Sequence, residues 1–332
     1  MTVWFSRSDF HGPAGISENV AQKVNCEADE YSLAVDTTLR KASSHLLVSG
    51  GKRLRPAMVL LAADTIRPGA SEDVFEAALA LEWEHTFTLI HDDIMDQDTM
   101  RRGTPTVHTV FGESTAILAG DALNGDAFSY ICRVKNATDA DKIKAVQMLA
   151  HACHELCEGQ QEDMEFETRD NVTKAEYVSM VRKKTGILLA SAAGIGAVLA
   201  GGDPRQVSAL YTLGMNAGIA FQIQDDILDL ITPTEVLGKN QASDLRENKQ
   251  SFVVLTAKEK GIDLSKYHKA DLSSEEIAEA VSLLTDAGII AECRAYAEKL
   301  IADAKRGLEQ FPDSEEKNLM AEMADFFIAR AN

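Results

Sequence analysis

An aspartate pattern occurs twice in the chain, as Asp92-Asp93-Ile94-Met95-Asp96 and as Asp225-Asp226-Ile227-Leu228-Asp229, each time inside an apolar run. On a helix, positions four apart stand one above the other, so Asp92 over Asp96 and Asp225 over Asp229 each offer two carboxylates to one ligand. Such a pair suits Mg²⁺, a hard cation that takes oxygen ligands and is usually held by one or two carboxylates plus the phosphate oxygens of a substrate. A single copy would carry little weight. With 52 Asp and Glu among 332 residues, an acid-acid-x-x-acid pattern arises about once by chance, the usual false-positive risk of a short motif. Both copies here are pure Asp, both follow apolar residues (Phe87, Leu89 and Ile90 before the first, Ile219, Ala220 and Phe221 before the second), and both have basic residues downstream.

Against an acidic background, the run Gly50-Gly51-Lys52-Arg53-Leu54-Arg55-Pro56 places Lys52 and Arg55 three apart at a helix start. Glycines allow close backbone approach, free N–H groups at a helix N-terminus favour negative charge, and arginine forks match phosphate oxygens. An isolated basic run is more often a solvated turn. A second one, Arg101-Arg102-Gly103, directly follows the first aspartate motif and shifts that balance. Two carboxylate clusters and two basic clusters describe a site for two diphosphates, one reached through Mg²⁺ and one held directly by Lys and Arg. His151, Cys153, His154 and Cys157 fall on more than one face of a helix, with no second ligand pair at finger-like spacing, which argues against zinc.

The bulk properties bound the function class. The formal net charge of −19 (33 basic against 52 acidic residues) argues against nucleic acid, whose phosphates demand a basic footprint. Small molecules are the expected partners. Five scattered cysteines, an odd number, suit reduced thiols rather than a disulfide framework. The longest apolar stretch, residues 187–200, is 14 residues long, short of the roughly 20 that span a bilayer. It reads as a buried helix packed closely through Ser191, Gly194 and Gly196. The first residues lack the apolar core of a signal peptide, so a cytoplasmic protein is expected.

Helical periodicity dominates, with no run of alternating strand residues, and the expected fold class is all-α. The pattern predicts helices over about residues 17–48, 56–66, from a cap at Ser71 through the first aspartate motif, and over 113–134, 139–168, 174–182, 186–200 and 205–231. Thr173 with Glu176, and Ser273 with Glu276, have the spacing of capping boxes; Gly288 reads as a C-cap before helices at 289–310 and 315–330. The polar segment 232–248 reads as a loop over the site. With only 7 prolines and no flexible linker, residues 1–332 are expected to form one domain, with 1–16 as a less ordered extension.

These residues, in this order, resemble the trans-isoprenyl diphosphate synthase (polyprenyl synthetase) family. The chain carries that family's Gly-Gly-Lys-x-x-Arg-Pro element at 50–56, its first aspartate-rich motif at 92–96 and its Arg-Arg-Gly at 101–103. It also carries Gly159-Gln160 with Asp163, Lys184-Thr185, Phe221-Gln222 with the second aspartate motif, and Gly238-Lys239 followed by Asp244 and Lys249. Departures occur in the last element, where the family usually has Gly at Ala242 and Asn248 and Thr at Ser251. Asn accepts a left-handed backbone readily, whereas Ala at a position of positive φ would be strained.

The resemblance implies one large helical bundle of the isoprenoid synthase type with a central substrate cavity, acting as a homodimer. It implies Mg²⁺ ions held by Asp92, Asp96 and Asp225, with Asp93, Asp226 and Asp229 close by, and an allylic diphosphate helped to depart by Arg101, Lys184, Lys239 and Lys249. Thr185 and Gln222 would supply dipoles to the allylic carbocation, and Lys52, Arg55, His85 and Arg102 would anchor isopentenyl diphosphate. Phe87 stands five residues before Asp92, roughly 7.5 Å along the helix axis, a sensible depth for the floor of a pocket that limits product length. Phe87 beside the small Thr88, without an insertion in the first motif, is similar to the archaeal-type geranylgeranyl synthases. A twenty-carbon product is therefore expected, with the fifteen-carbon farnesyl product as the alternative. A class I terpene cyclase would not need Lys52, Arg55 and Arg102, and a non-catalytic partner subunit would not need both intact aspartate motifs.

Overall fold

The computed structural model describes residues 13–233 and 241–329. Gly238 and Lys239, and most of the expected N-terminal extension, lie outside them. The described chain is almost wholly helical, and its one sheet is a two-stranded ribbon of β1 (Met100–Arg101) and β2 (Thr104–Pro105). It groups into two compact units, each assembled from separate stretches: 1–150, 191–211 and 310–322 in the first, 151–190, 212–309 and 323–332 in the second.

In the first unit, α1 (Pro13–Leu33), α2 (Thr38–Ser44), α3 (Leu54–Ile66), α4 (Phe75–Met95), α5 (Val107–Phe111) and α6 (Glu113–Arg133) follow one another. Helix α3 is buried from Leu54 to Thr65 apart from the half-buried Arg55, as expected of a helix apolar on all sides. Trp83 of α4 is fully buried, meeting Tyr31 and Tyr130 edge to face at 5.4 and 5.2 Å. The apolar stretch 187–200 is buried throughout, in agreement with its sequence. Most of it forms α9 (Ile187–Leu199), in which Gly196 lies directly against the Val59 carbonyl, where a Cβ would clash. Helix α7 (Asp139–Phe166) begins in this unit.

In the second unit, α8 (Lys174–Val181) passes through a π-helical turn at Arg182–Gly186 into α9. The C-terminal part of α10 (Pro204–Ile231) follows, then α11 (Ser243–Arg246), α12 (Phe252–Glu259), α13 (Ser274–Asp286) and α14 (Ile289–Arg306). Gly214 and Gly218 of α10 have backbone or glycine neighbours at Leu189 and Gly186, so this part of α10 and the turn before α9 approach more closely than larger residues would allow. Both capping boxes form, at Thr173 and Ser273. The last helix is α15 (Glu315–Phe326).

Three expectations are corrected. The helix expected over 17–48 is two helices, because Thr37 adopts an extended backbone and its Oγ1 accepts the Arg40 N–H at 3.2 Å, starting α2 afresh. Ser71 does not cap α4. Its N–H donates to Asp64 at 2.8 Å within a short 3₁₀ turn, and α4 starts four residues later at Phe75. The segment 232–248 is not wholly irregular, since it contains α11.

Candidate active site

Helix α4, the β1–β2 ribbon and the start of α3 carry the first group of candidate residues. Asp92 is half-buried, Asp96 is exposed as the C-cap of α4, and the Asp96 N–H donates to the Asp92 carbonyl at 2.8 Å. The two carboxylates thus emerge one helical turn apart, as the spacing predicts. Asp93 faces the other way. It is fully buried, and the Arg101 guanidinium donates to it through Nε at 2.7 Å and Nη2 at 2.6 Å. Burial works against the charged form of Arg101, but Asp93 and Asp98 outweigh it and hold the guanidinium above its ordinary pKa. Asp93 therefore acts as the seat of Arg101.

Behind the motif lies a cluster of cations. Arg102, at φ 52°, donates to the Gly50 carbonyl at 2.7 Å, to the Leu46 carbonyl at 3.2 Å and to Glu82 at 3.4 Å. Burial lowers its pKa against the pull of Glu82, and Arg53 lowers it further. Burial likewise brings Arg55 down to about 10. His85 is held well below the usual histidine value by burial and then by Arg55, Arg102, Arg53 and Arg101, so its ring is neutral at pH 7. Lys52 is exposed at the edge of the turn. Phe87 is 7 % exposed and packs edge to face on His91 at 4.8 Å; Gly120 of α6 leaves room for that imidazole, and Thr88 beside it is buried.

In the second unit, the π-helical turn presents Lys184 and Thr185, and α10 presents the second aspartate motif. Such turns frequently mark functional sites. A hydrogen-bonded chain runs from Thr185 Oγ1, which donates to Gln222 Oε1 at 3.3 Å, through Gln222 Nε2 to Asp226 Oδ1 at 3.3 Å. The other oxygen of Asp226 accepts from Tyr177 Oη at 2.5 Å and from the Phe252 N–H at 2.8 Å. Burial pushes the Asp226 carboxyl up to about 7 in spite of these donors. Asp225 is half-buried.

Asp229 departs from the symmetric reading of the two motifs. Its carboxylate accepts from Ser243 Oγ at 2.6 Å and the Asp244 N–H at 3.1 Å, and its carbonyl accepts the Ala242 N–H at 2.7 Å. The residue anchors the stretch before Lys249. Ala242 and Asn248, where the family usually has glycine, both have left-handed backbones, at φ 58° and 56°. Lys249 pairs with Glu247 at 3.1 Å, and acidic neighbours hold it above its ordinary pKa despite partial burial. Lys184 pairs with Asp163 at 2.5 Å, and Gly159 lies against the Lys184 backbone where no Cβ would fit.

The sequence profile described as "Polyprenyl synthetase" matches residues 36–284. The chain is 45% identical over 292 residues to the geranylgeranyl diphosphate synthase of Methanosarcina mazei, covering 88% of this chain and 90% of that protein. It is 44% identical over 308 residues to the geranylfarnesyl diphosphate synthase of Natronomonas pharaonis, with the same shares covered. The chain belongs to the polyprenyl synthetase family. Its fold matches the solved geranylgeranyl pyrophosphate synthetase of Geoglobus acetivorans with a TM-score of 0.88 and 42% identity, over 95% of this chain and 100% of that one.

Sequence reasoning about this polyprenyl synthetase missed Glu82, Arg53 and Tyr177. Glu82 carried a signal, being a carboxylate in the apolar stretch Ala77 to Trp83 whose burial demands a cation. Arg53 sat unremarked between two residues assigned to anion binding. Tyr177 had no local signal, because its partner Asp226 lies 49 residues away.

Proposed function

We propose that the protein is a Mg²⁺-dependent trans-prenyltransferase that condenses isopentenyl diphosphate with an allylic diphosphate, releasing diphosphate and a twenty-carbon geranylgeranyl diphosphate as main product. The observation that carries this reading is the excess of cationic side chains around His85: among the described residues, Arg53, Arg55 and Arg102 gather on the carboxylate of Glu82. A polyanion balances such a cluster, and a terpene cyclase, which takes only one diphosphate, has no need of it.

The donors suit Mg²⁺. Asp92, Asp96 and Asp225 offer oxygen only, and among the described residues no three His, Cys, Asp or Glu side chains form a cage. That matches an ion held by one or two carboxylates together with substrate phosphates. Asp92, Asp96 and Asp225 would hold the ion, which when bound would offset the charge of the allylic diphosphate and make it a better leaving group. Arg101, seated on Asp93, and Lys184 and Lys249 would donate hydrogen bonds to that diphosphate; Lys239, expected to join them, lies outside the described residues. Thr185 and Gln222 would offer dipoles to the allylic cation, a role supported by the hydrogen bonds that fix them to each other and to Asp226. Lys52, Arg55, neutral His85 and Arg102 anchor isopentenyl diphosphate, whose double bond attacks the cation. The departing diphosphate accepts the final proton.

Phe87, backed by His91, supports a pocket floor at twenty carbons, while the geranylfarnesyl relative makes a twenty-five-carbon product the second reading. A homodimer is supported by the exposed apolar residues Val110, Ile117 and Leu118 of α5 and α6. No described helix is long and apolar enough to cross a membrane. Incubation with isopentenyl diphosphate and farnesyl diphosphate, followed by dephosphorylation and chromatography, tests the reading: a twenty-carbon prenol is expected, and recovery of unextended farnesol alone contradicts it.

A further inference from the structure

We propose that Glu82 is the positioning residue of the isopentenyl diphosphate site: one buried carboxylate that holds the arginines of two distant chain segments side by side, so that their remaining charge faces the substrate. This deepens the reading above and rests on it.

Glu82 is 1 % exposed on α4. Arg53, 3 % exposed, donates to its Oε1, and Arg102 donates to the same oxygen at 3.4 Å. The two arginines come from the turn before α3 and from the β1–β2 ribbon, and both have left-handed backbones, at φ 49° and 52°. Arginine has no intrinsic preference for that conformation, so the packing around these guanidiniums has to maintain it. Other acceptors share the load: Arg53 also donates to Asn25 Oδ1, at 2.9 and 3.1 Å, and to the Leu47 carbonyl. Every one of those acceptors except Glu82 is neutral.

The charges assign a direction to the arrangement. Arg53, Arg55 and Arg102 bring three positive charges and Glu82 removes one, an excess of two before Lys52 is counted. Without Glu82 the arginines would repel one another in a poorly solvated place; with a second carboxylate the site would have little left to bind with. Gly51 closes the arrangement from the other side. A Cβ there would stand 3.1 Å from Arg102 Cζ, so its absence lets the guanidinium lie flat against the turn.

The test is steady-state kinetics of Glu82→Gln, Glu82→Asp, Gly51→Ala and Arg102→Ala with each substrate varied. In Glu82→Gln the KM for isopentenyl diphosphate should rise on the order of tenfold or more, with kcat and the allylic KM changed by less than about twofold. Glu82→Asp should recover part of that loss. Glu82→Asp, which keeps the charge and shortens its reach, serves should Glu82→Gln fail to fold; Gly51→Ala, strained at φ 139° and crowding Arg102, should raise the same KM. A KM for isopentenyl diphosphate that stays constant or falls in Glu82→Gln, or rises equally with the allylic KM, overturns the assignment; so does an unaltered KM in Gly51→Ala. Arg102→Ala separates the two levels: if it leaves the KM for isopentenyl diphosphate unaltered, the substrate site itself is misplaced, and if it alone raises it, only Glu82 is.

Discussion

Asp226 shows how little a residue's type says about its work. Asp225 and Asp226 are adjacent and chemically identical, yet Asp225 is half-buried while Asp226 turns inward to Tyr177, Phe252 and Gln222. Burial raises the Asp226 pKa from 3.8 to about 7, so the folded protein binds a proton that the unfolded chain has lost between those values. The sign follows: this group's contribution is fully present below about pH 4 and is lost as pH rises through about 7. In EDTA, wild type should lose stability to denaturant over that window relative to Asp226→Asn, whose amide does not titrate. Parallel pH profiles for the two proteins would contradict it. The outward aspartates carry a different prediction. Asp92→Ala and Asp225→Ala should each lower turnover roughly a hundredfold or more with unaltered helical circular dichroism, and near-normal turnover in either would remove the diphosphate clamp. At this scale the sequence was legible where the chemistry is local. The spacing of Asp92 and Asp96 on one helix was enough to pair them, whereas the inward turn of Asp93 depends on Arg101 lying across a ribbon that no alternating pattern announces.

Among the elements, the stretch from Gln241 to Lys249 is tied to α10 through Asp229 and Gln241, and to residues 270–272 through Arg246. Ala242 is fully buried there with a left-handed backbone. That conformation costs a non-glycine residue roughly 1–2 kcal/mol, against roughly 0.5–1 kcal/mol of extra unfolded-state freedom for glycine. Ala242→Gly should therefore stabilise the protein by about 1 kcal/mol, read as a higher melting temperature, and a lower one would show that the methyl group's packing outweighs the strain. Helix α4 carries the other prediction at this scale. Phe87→Ser should open the floor and lengthen the products, Thr88→Phe should shorten them, and an unaltered length distribution in Phe87→Ser would place the floor elsewhere. Helix positions were largely readable from periodicity, and capping boxes marked the starts of α8 and α13 correctly. The break between α1 and α2 was not, since Ala34-Val35-Asp36 contains neither glycine nor proline, and only the Thr37 cap shows why the helix restarts.

For the molecule as a whole, composition bounded the answer and order decided it. An all-helical, acidic chain is compatible with many functions. Seven motifs in the family's order are compatible with few, and the match over residues 36–284 agrees with them. What composition left unread is the contrast between a net charge of −19 and a cluster of arginines gathered around a buried carboxylate, because charge totals say nothing about where charges meet. Whether two diphosphates meet and one leaves can be read from diphosphate release with Mg²⁺ and farnesyl diphosphate, measured with and without isopentenyl diphosphate. Rapid release is predicted only when both substrates and Mg²⁺ are present. Equal release from farnesyl diphosphate alone, or release undiminished in EDTA, would contradict it.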